Sequence, residues 1–376
     1  MDDKNKKIEY IPTLAIPPGD TLAEALEERG MTQAELAKRI NRPPKTINEI
    51  RKGKTAITAE TALQLEQVFG IPARFWNNLE SNYRDIIART QSEEYLIYEI
   101  KEAKQYPYNE MTKWSWVALT RKPIDKVKNL LAFFGVTSLK NVVENQILAS
   151  GSLYRISTKR KYSRPAIAAW LRRGTILGQQ VTTEKFNAEK LKNSLEELRA
   201  LTLYPPQIFQ QKLEDILAGC GVALVLTPNL KNAPVNGVSR WLTPNKALIQ
   251  LTIRHKYNDI FWFSLFHEIG HILLHEKKDF NVDFKENGVK EEREVAVDKF
   301  ATDTLIPPNL YQGISAVVRG GDFSYGPIKA FAKSVGIHPA VVIGRLQHDK
   351  ILPPNFNGLR ERFEWVIESQ YESKGK

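Results

Sequence analysis

Apolar residues between residue 20 and about residue 89 recur at helical spacing in several short segments. Leu22 and Leu26, for example, lie one helical turn apart and would share a face. Thr32 stands three residues before Glu35, which is the arrangement of a capping box at a helix start. The pattern therefore predicts an all-α N-terminal segment. Its turns are predicted at Gly30, residues 41–44, Gly53 and Gly70.

The pattern changes near "LYPPQ" at residues 203–207, where we place a boundary. Residues 90–200 are predicted to be mostly helical. Beyond the boundary, residues 221–228 and 245–254 have the composition of strands, and the second alternates apolar and polar side chains. Residues 260–275 are too long and too apolar for a strand, so we predict a buried helix.

A further helix is predicted at residues 291–307, where Pro307 and Pro308 end it, and two short helices are predicted after Pro327. The strand at residues 245–254 has two interpretations of equal weight. It is an edge strand that pairs with an extended substrate, or it is an interior strand of the sheet.

These elements predict a multidomain, mainly α protein with a final α+β domain. The predicted divisions are an N-terminal arm at 1–18, an all-α domain at 19–90, a helical linker region at 91–205 and an α+β domain at 206–376.

Composition narrows the class of protein. The chain has 376 residues, of which 42% are hydrophobic and 26% charged, as in soluble globular proteins. No apolar run reaches the roughly 20 residues of a membrane span, and the first residues lack the apolar core of a secretory signal. The single cysteine, Cys220, excludes internal disulfides and a cysteine-based zinc cluster. We therefore expect a cytoplasmic protein without membrane contact.

The formal net charge is +11, which favours a polyanionic partner. Two segments are strongly basic, residues 38–54 and residues 158–164. Such a run usually marks a solvent-exposed surface. Whether it binds a polyanion therefore has to be judged from the motif around it.

Residues 32–53 have the order of a helix-turn-helix: a short helix, a turn at "INRPP" and a basic second helix. Gln33 and the first backbone N–H groups of the first helix are placed to hold a DNA phosphate. Lys45, Thr46 and Asn48 on the second helix are placed to reach base edges. A basic helical bundle that binds no DNA is the alternative. Further candidate phosphate contacts are Arg51, Lys52 and Lys54.

Two longer stretches, "PPGDTLAEALEERGMTQAELAKRI" and "KTINEIRKGKTAITAETALQLEQVFGIPARFWNNLESNYR", resemble the HigA-type antitoxin branch of the XRE repressor family. The resemblance covers about 70 residues. It implies a lambda-repressor-like fold, a homodimer, operator DNA as a partner, and a small RelE-like ribonuclease toxin that the protein neutralises, as in a HigBA-like toxin-antitoxin module.

The stretch "FHEIGHILLH" contains the H-E-x-x-H pattern of zinc metallopeptidases. His267 and His271 lie one helical turn apart, so both imidazoles can bind one Zn²⁺, and Glu268 beside them can act as general base. The alternative is a buried helix with ordinary histidines. A third ligand is needed. His275 would crowd all three ligands onto one helix face, so we look to the later helix, where Glu291, Glu292 and Glu294 are the candidates. We favour Glu294, because Asp298 follows it one turn later.

Zincins of the thermolysin type use such a glutamate as ligand, with a nearby acid supporting a ligand histidine. That is the role predicted for Asp298, while His275 is expected to hydrogen-bond the loop after its helix. Tyr325 and His338 are weaker candidates for holding a tetrahedral intermediate.

The motifs "GVALVLTPNL", "VNGVSRWL", "KALIQLTIR", "FWFSLFHEIGHILLH" and "EREVAVDKFATDTLIP" resemble, in this order, the ImmA/IrrE-type metallopeptidases. The resemblance covers about residues 210–310 and extends through "GIHPAVVIGRLQ". It implies a zincin-like fold and cleavage of a repressor protein. The chain departs from the family pattern at Ala296 and Val297, which puts the ligand assignment to Glu294 in question.

Together these features predict a DNA-binding regulator or antitoxin that carries a gluzincin-like zinc endopeptidase domain. Its protein substrate would be a repressor, a toxin or another copy of itself. The alternative is a regulator without catalysis, whose zincin-like domain binds a toxin or senses a signal.

Overall fold

The computed structural model describes residues 15–143, 145, 162–254, 256–275, 287–321 and 323–365, without the side chains of 92, 93 and 287–291. The chain divides into two units, Met1–Tyr98 and Glu99–Lys376. Each unit has a hydrophobic core of its own. The predicted domain bounds at 90 and 205 stay predictions.

The described part of the first unit, from residue 15 onward, is all-α, as predicted. Thr32 caps α2 because its hydroxyl oxygen accepts the backbone N–H of Glu35. Thr58 caps α4 in the same way, and Gly70 ends that helix in the left-handed conformation. The helices are α1 (Pro18–Glu28), α2 (Gln33–Arg39), α3 (Pro44–Arg51), α4 (Ala59–Phe69) and the first part of α5 (Ala73–Ala103).

In this unit the start of α1 packs closely against the end of α3. A Cβ atom on Gly19 would lie 2.2 Å from the carbonyl oxygen of Arg51, so only a glycine permits this approach of the two backbones. Leu22, Leu36 and Trp76 are among the fully buried side chains. The spacing of apolar residues in the sequence thus corresponds to the buried face of each helix.

The second unit begins with helices, in agreement with the helical character predicted for residues 90–200. Leu191, Leu198 and Leu201 from this part belong to the same apolar core as the sheet that follows. The helices are α6 (Tyr108–Lys113), α7 (Pro123–Phe134), α8 (Arg164–Gln180), α9 (Ala188–Asn193), α10 (Leu195–Ala200), a 3₁₀ turn (Leu201–Leu203) and α11 (Pro206–Gly219).

A small mixed sheet follows, with strands β1 (Val222–Leu226), β2 (Gly237–Thr243) and β3 (Lys246–Leu251) in the order β1-β3-β2. β3 pairs parallel with β1 and antiparallel with β2. Of the two interpretations of residues 245–254, the structure therefore has the interior strand. β2 was not predicted, because its buried positions include the polar residues Ser239 and Arg240.

The helices that follow the sheet add further residues to its apolar core. The predicted helix at 260–275 is α12 (Asn258–Leu274), and the predicted helix at 291–307 is α13 (Asn287–Leu305). Both short helices after Pro327 are present, and one helix before them was missed. These three are α14 (Pro308–Arg319), α15 (Tyr325–Val335) and α16 (Pro339–His348).

α12 and α13 pack closely at Gly270, where a Cβ atom would meet Phe300 at 2.9 Å and Val297 at 3.0 Å. Leu265, Phe266 and Ile269 of α12 are fully buried in the core. The fold is thus mainly helical, as predicted, with a helix-turn-helix at its start and one mixed sheet. Among the described residues, no helix combines the length and apolar character that a membrane span requires.

Candidate functional site

The predicted DNA-binding face is formed by α2, α3 and the turn between them. Asn41 in the turn has a φ of 52°, a left-handed conformation that asparagine tolerates. The Arg42 guanidinium next to it donates to Gln64 and pairs with Glu60, both on α4. These contacts hold the turn against α4 and thereby orient α3.

α3 buries one face and exposes the other. Ile47 and Ile50 lie in the core, while Lys45, Arg51 and Lys52 are exposed. Thr46 and Asn48 are half-buried beside them, and so is Gln33 at the start of α2. The structure thus places all six predicted residues on these two helices or, for Lys52, directly after α3, and their role at DNA stays a prediction.

Several cations of this face are already paired with carboxylates. Arg39 contacts Glu35 at 2.6 Å on α2, and Lys45 lies 3.9 Å from Glu49 on α3. Such pairs reduce the positive field that a phosphate backbone would meet.

The second site lies on α12. His267 and His271 stand one turn apart, and their Nε2 atoms are 3.1 Å from each other. Both side chains are largely buried. Burial of two imidazoles beside each other costs free energy unless polar partners satisfy them.

The third predicted ligand comes from α13. One carboxylate oxygen of Glu294 lies 3.5 Å from Nε2 of His267, and the other lies 3.6 Å from Nε2 of His271. One donor atom from each of the three residues fits within a 4.8 Å span. Glu292, the competing candidate, is exposed.

This donor set fits a zinc ion. Ligand atoms at 2.0–2.1 Å from a tetrahedral metal are about 3.3 Å from one another. The Nε2–Nε2 separation of 3.1 Å is close to that value, and each imidazole has a different oxygen of Glu294 at 3.5 or 3.6 Å. Two imidazoles and a carboxylate are also the chemical ligand set of catalytic zinc sites that keep one position for water.

Asp298 lies behind the first histidine. Its Oδ1 is 3.0 Å from Nδ1 of His267, which leaves Nε2 of that ring directed toward the other ligands. Burial lowers the pKa of His267, but the hydrogen bond to Asp298 and the charges of Glu268 and Glu294 raise it by more, so the pKa lies above its ordinary value. The surroundings of the ring therefore favour a positive charge.

Glu268 is buried next to this cluster. Burial raises its pKa to about 7, although the charge of His267 and hydrogen bonds with Ser239 of β2 act in the opposite direction. The carboxylate also lies against the β2 backbone, since a Cβ atom on Gly237 would be 2.9 Å from its Oε1. A carboxyl group with this pKa can both accept and donate a proton near neutral pH.

Sequence reasoning missed Ser239 and Gly237 as neighbours of Glu268. The available signal was the glycine in "VNGVSRW", because an isolated glycine in a strand often marks a close approach of another group.

The remaining predicted residues are His275, Tyr325 and His338, and each has contacts of another kind. His275 ends α12, with its ring 5.3 Å from that of His271, and the loop that it was expected to contact lies outside the described residues. The Tyr325 hydroxyl accepts the backbone N–H of Gly358, and His338 caps α16. These contacts explain both side chains without a catalytic role.

The fold and the α2–α3 face define a helix-turn-helix domain, and the comparisons with known proteins agree. The model of the helix-turn-helix family HTH_3 matches residues 22–76. The chain is 34% identical over 64 residues to the uncharacterized HTH-type transcriptional regulator YddM of Escherichia coli K12, covering 68% of that protein and 17% of this chain. Through its N-terminal domain the chain therefore belongs to the helix-turn-helix regulator family.

Two further relatives match a similar part of the chain. Virulence-associated protein I of Dichelobacter nodosus is 41% identical over 70 residues, which is 18% of this chain and 65%, just under two thirds, of that protein. The solved structure of an addiction module antidote protein of a HigA family from Coxiella burnetii is 36% identical, with a TM-score of 0.21. It corresponds to 23% of this chain and 94% of its own.

Proposed function

We propose that the chain is a DNA-binding transcriptional regulator or antitoxin that carries a zinc-dependent endopeptidase domain. The helix-turn-helix half is supported by the family match over residues 22–76 and by the exposed α3 face. The similarity to an HTH-type transcriptional regulator favours this role and operator DNA as the partner. A RelE-like toxin and a homodimeric state belong to the same proposal.

One observation carries the enzymatic half. Two imidazoles from α12 and a carboxylate from α13 converge within 4.8 Å, with Asp298 behind one ligand and a buried glutamate beside it. The α12–α13 contact at Gly270 holds the two helices at the separation that this convergence requires.

His267, His271 and Glu294 would hold the metal. Bound zinc supplies a Lewis acid that polarises a peptide carbonyl and makes water more acidic. Glu268 accepts a proton at its carboxylate from the attacking water and returns it to the nitrogen of the leaving amine. The backbone N–H of Ser239 donates to the carboxylate and helps to hold it in place, and Asp298 orients the His267 ring.

The proposed substrate is a regulatory protein: a repressor, a toxin or another copy of the chain. A peptidase joined to a DNA-binding domain acts where such regulators gather, since the two domains are carried on one chain. The competing outcome is a regulator whose second unit only binds a partner.

The DNA-binding half is tested by gel retardation of the DNA upstream of the chain's own gene. Lys45→Ala with Asn48→Ala should cost about 1–3 kcal/mol of binding free energy for each lost base contact. The matched control is Lys333→Ala with Asn309→Ala, at two exposed positions of the second unit. Equal retardation of both double variants would reject the α3 assignment.

The enzymatic half is tested with zinc and with Glu268→Gln. Native mass spectrometry should find one zinc ion in the wild type and in Glu268→Gln, and none in His267→Ala. Labelling of new protein N-termini in cells should reveal cleavage sites with the wild type that disappear with Glu268→Gln. Zinc retained together with identical N-termini would instead support the binding-only regulator.

A further inference from the structure

The positive charge of the chain is not located in the helix-turn-helix unit. Residues 1–98 contain 14 Lys and Arg against 15 Asp and Glu, a net charge of −1. Residues 99–205 contain 19 against 9, a net charge of +10, which is nearly all of the +11 of the whole chain. Phosphate contacts by cations supply most non-specific DNA affinity. Residues 99–205 are therefore a candidate for such contacts, besides α3.

Five of these cations lie in one short segment, between the end of α6 and the middle of α7. Asp125 is the single acidic residue from 111 to 134. We call these cations the α6–α7 surface. Its members are Lys113, Arg121, Lys122, Lys126 and Lys128.

Four of the five cations of this surface are exposed, and Lys126 is half-buried. Lys113, Arg121 and Lys122 are all exposed. None of these three forms an ion pair within the described part of the chain. The Glu110 carboxylate, next to the segment, is already occupied by the backbone N–H of Lys231 at 2.7 Å.

The segment is also held in a fixed conformation. The Tyr108 hydroxyl donates to the Ala118 carbonyl oxygen at 2.6 Å and accepts a hydrogen bond from the Asn129 amide at 2.7 Å. The ammonium group of Lys126 lies 5.3 Å from the centre of the Tyr108 ring. The loop that carries Arg121 is thereby attached to both helices, so its cations keep their spacing.

The α3 face differs in charge. There Arg39, Arg42 and Lys45 each have a carboxylate within 4 Å. Arg51 and Lys52 of the same face are exposed and form no ion pair within the described part of the chain. Fixed cations without carboxylate partners release more counterions on meeting a phosphate backbone than paired ones do.

We propose that the α6–α7 surface binds the phosphate backbone of double-stranded DNA without reading its sequence. This inference rests on the proposed DNA-binding function, which supplies the reason to favour DNA over other polyanions. The surface contributes salt-dependent affinity, and α3 contributes the discrimination between sequences.

The test is a salt titration of the full chain with a fluorescent random-sequence duplex. Lys113→Ala, Arg121→Ala and Lys122→Ala are combined in one variant. The matched control combines Arg319→Ala, Lys329→Ala and Lys333→Ala, which removes the same residue types from exposed positions elsewhere in the second unit. Circular dichroism first confirms that both variants fold.

Each lost phosphate contact reduces the slope of log affinity against log salt by about 0.9. The α6–α7 variant should therefore lose roughly 2–3 units of slope between about 50 and 200 mM salt, and its affinity should fall at least tenfold. The control variant should keep the wild-type slope. Equal slopes for the two variants would overturn the proposal.

A third variant separates this inference from the proposed function. Asn48→Ala removes no charge, so it should lose preference for the chain's own promoter and keep the wild-type slope on random duplex. Suppose that Asn48→Ala keeps the promoter preference while the α6–α7 variant loses slope in log affinity against log salt. The proposed role of α3 would then be wrong, and the proposed role of the α6–α7 surface would be supported. Tighter binding of single-stranded RNA or of phosphatidylserine vesicles than of duplex DNA would reject the DNA assignment.

Discussion

α3 and α12 are both helices with polar residues among apolar ones, yet they use those residues in opposite ways. α3 leaves Lys45 almost entirely exposed, with a distant carboxylate as its partner. α12 buries His267, His271 and Glu268, and brings further carboxylates from α13 to meet them. α3 exposes its polar side chains to solvent, whereas α12 buries them.

The difference lies in what each arrangement costs in stability. Exposed ion pairs contribute about 0–1 kcal/mol, so α3 can change its surface residues with little effect on folding. Buried imidazoles and carboxylates require partners, and a divalent cation would satisfy both at once. We therefore expect changes near α12 to couple metal binding and stability, and surface changes near α3 to leave stability intact.

The largest effect should come from Gly19→Ala. Its new Cβ atom would lie 2.2 Å from a backbone oxygen of α3, and backbone atoms cannot move aside as side chains do. We expect a loss of about 3 kcal/mol in the first unit, at the upper end for overpacking. Thermal unfolding followed by circular dichroism measures it, and DNA retardation should be lost while zinc stoichiometry stays the same.

Gly313→Ala in α14 is the control, because nothing lies within 4 Å of its Cβ position. A helical alanine there should leave the protein as stable or up to about 1 kcal/mol more stable. If both alanine variants unfold alike, the close α1–α3 contact is not what stabilises the first unit.

A smaller effect is expected from Asp298→Ala. Removing the acceptor of the His267 Nδ1–H should weaken zinc binding about 10–100-fold, which competition with a chelator measures. Asp303→Ala, one to two turns further along α13 and paired with Lys299, is the control and should keep wild-type affinity. Equal affinities for both variants would remove Asp298 from the site.

The smallest effect on stability is expected from Asp349→Asn, and it depends on pH. Burial raises the pKa of Asp349, but hydrogen bonds from Arg345, Tyr311 and His348 lower it by more, so its folded pKa lies below the ordinary value. The ionised form therefore stabilises the fold above the unfolded pKa of about 4, and this is lost as pH falls through the folded pKa.

The Asp349→Asn variant should thus be about 1 kcal/mol less stable than wild type at pH 7. Urea unfolding at several pH values should show the gap narrowing below about pH 4. A gap that stays constant down to pH 2 would contradict the assigned role of the charge.

Local signals carried most of the sequence prediction. The helix-turn-helix follows from apolar spacing and from the Thr32 cap, which the structure confirms. The pairing of His267 with His271 follows from helical periodicity alone. Glu294 required a contact between helices that are distant in sequence, and its choice over Glu292 agrees with the positions of the two side chains.

Long-range features were harder to obtain. β2 was missed because Arg240 is buried only through tertiary partners, among them the Leu171 carbonyl oxygen and Gln250. The contact of Ser239 with Glu268 depends on that strand. The basic α6–α7 surface was missed because its cations are spread along the sequence, whereas those of residues 38–54 form a dense run. The carboxylate partners of Arg39 and Arg42 in that run are visible only in the folded chain.

A crystal of the full chain soaked with zinc tests the central claim most directly. We predict one anomalous scattering peak, bonded to Nε2 of His267, Nε2 of His271 and the carboxylate of Glu294. A structure with that carboxylate turned away and zinc bound elsewhere, or not at all, would contradict it.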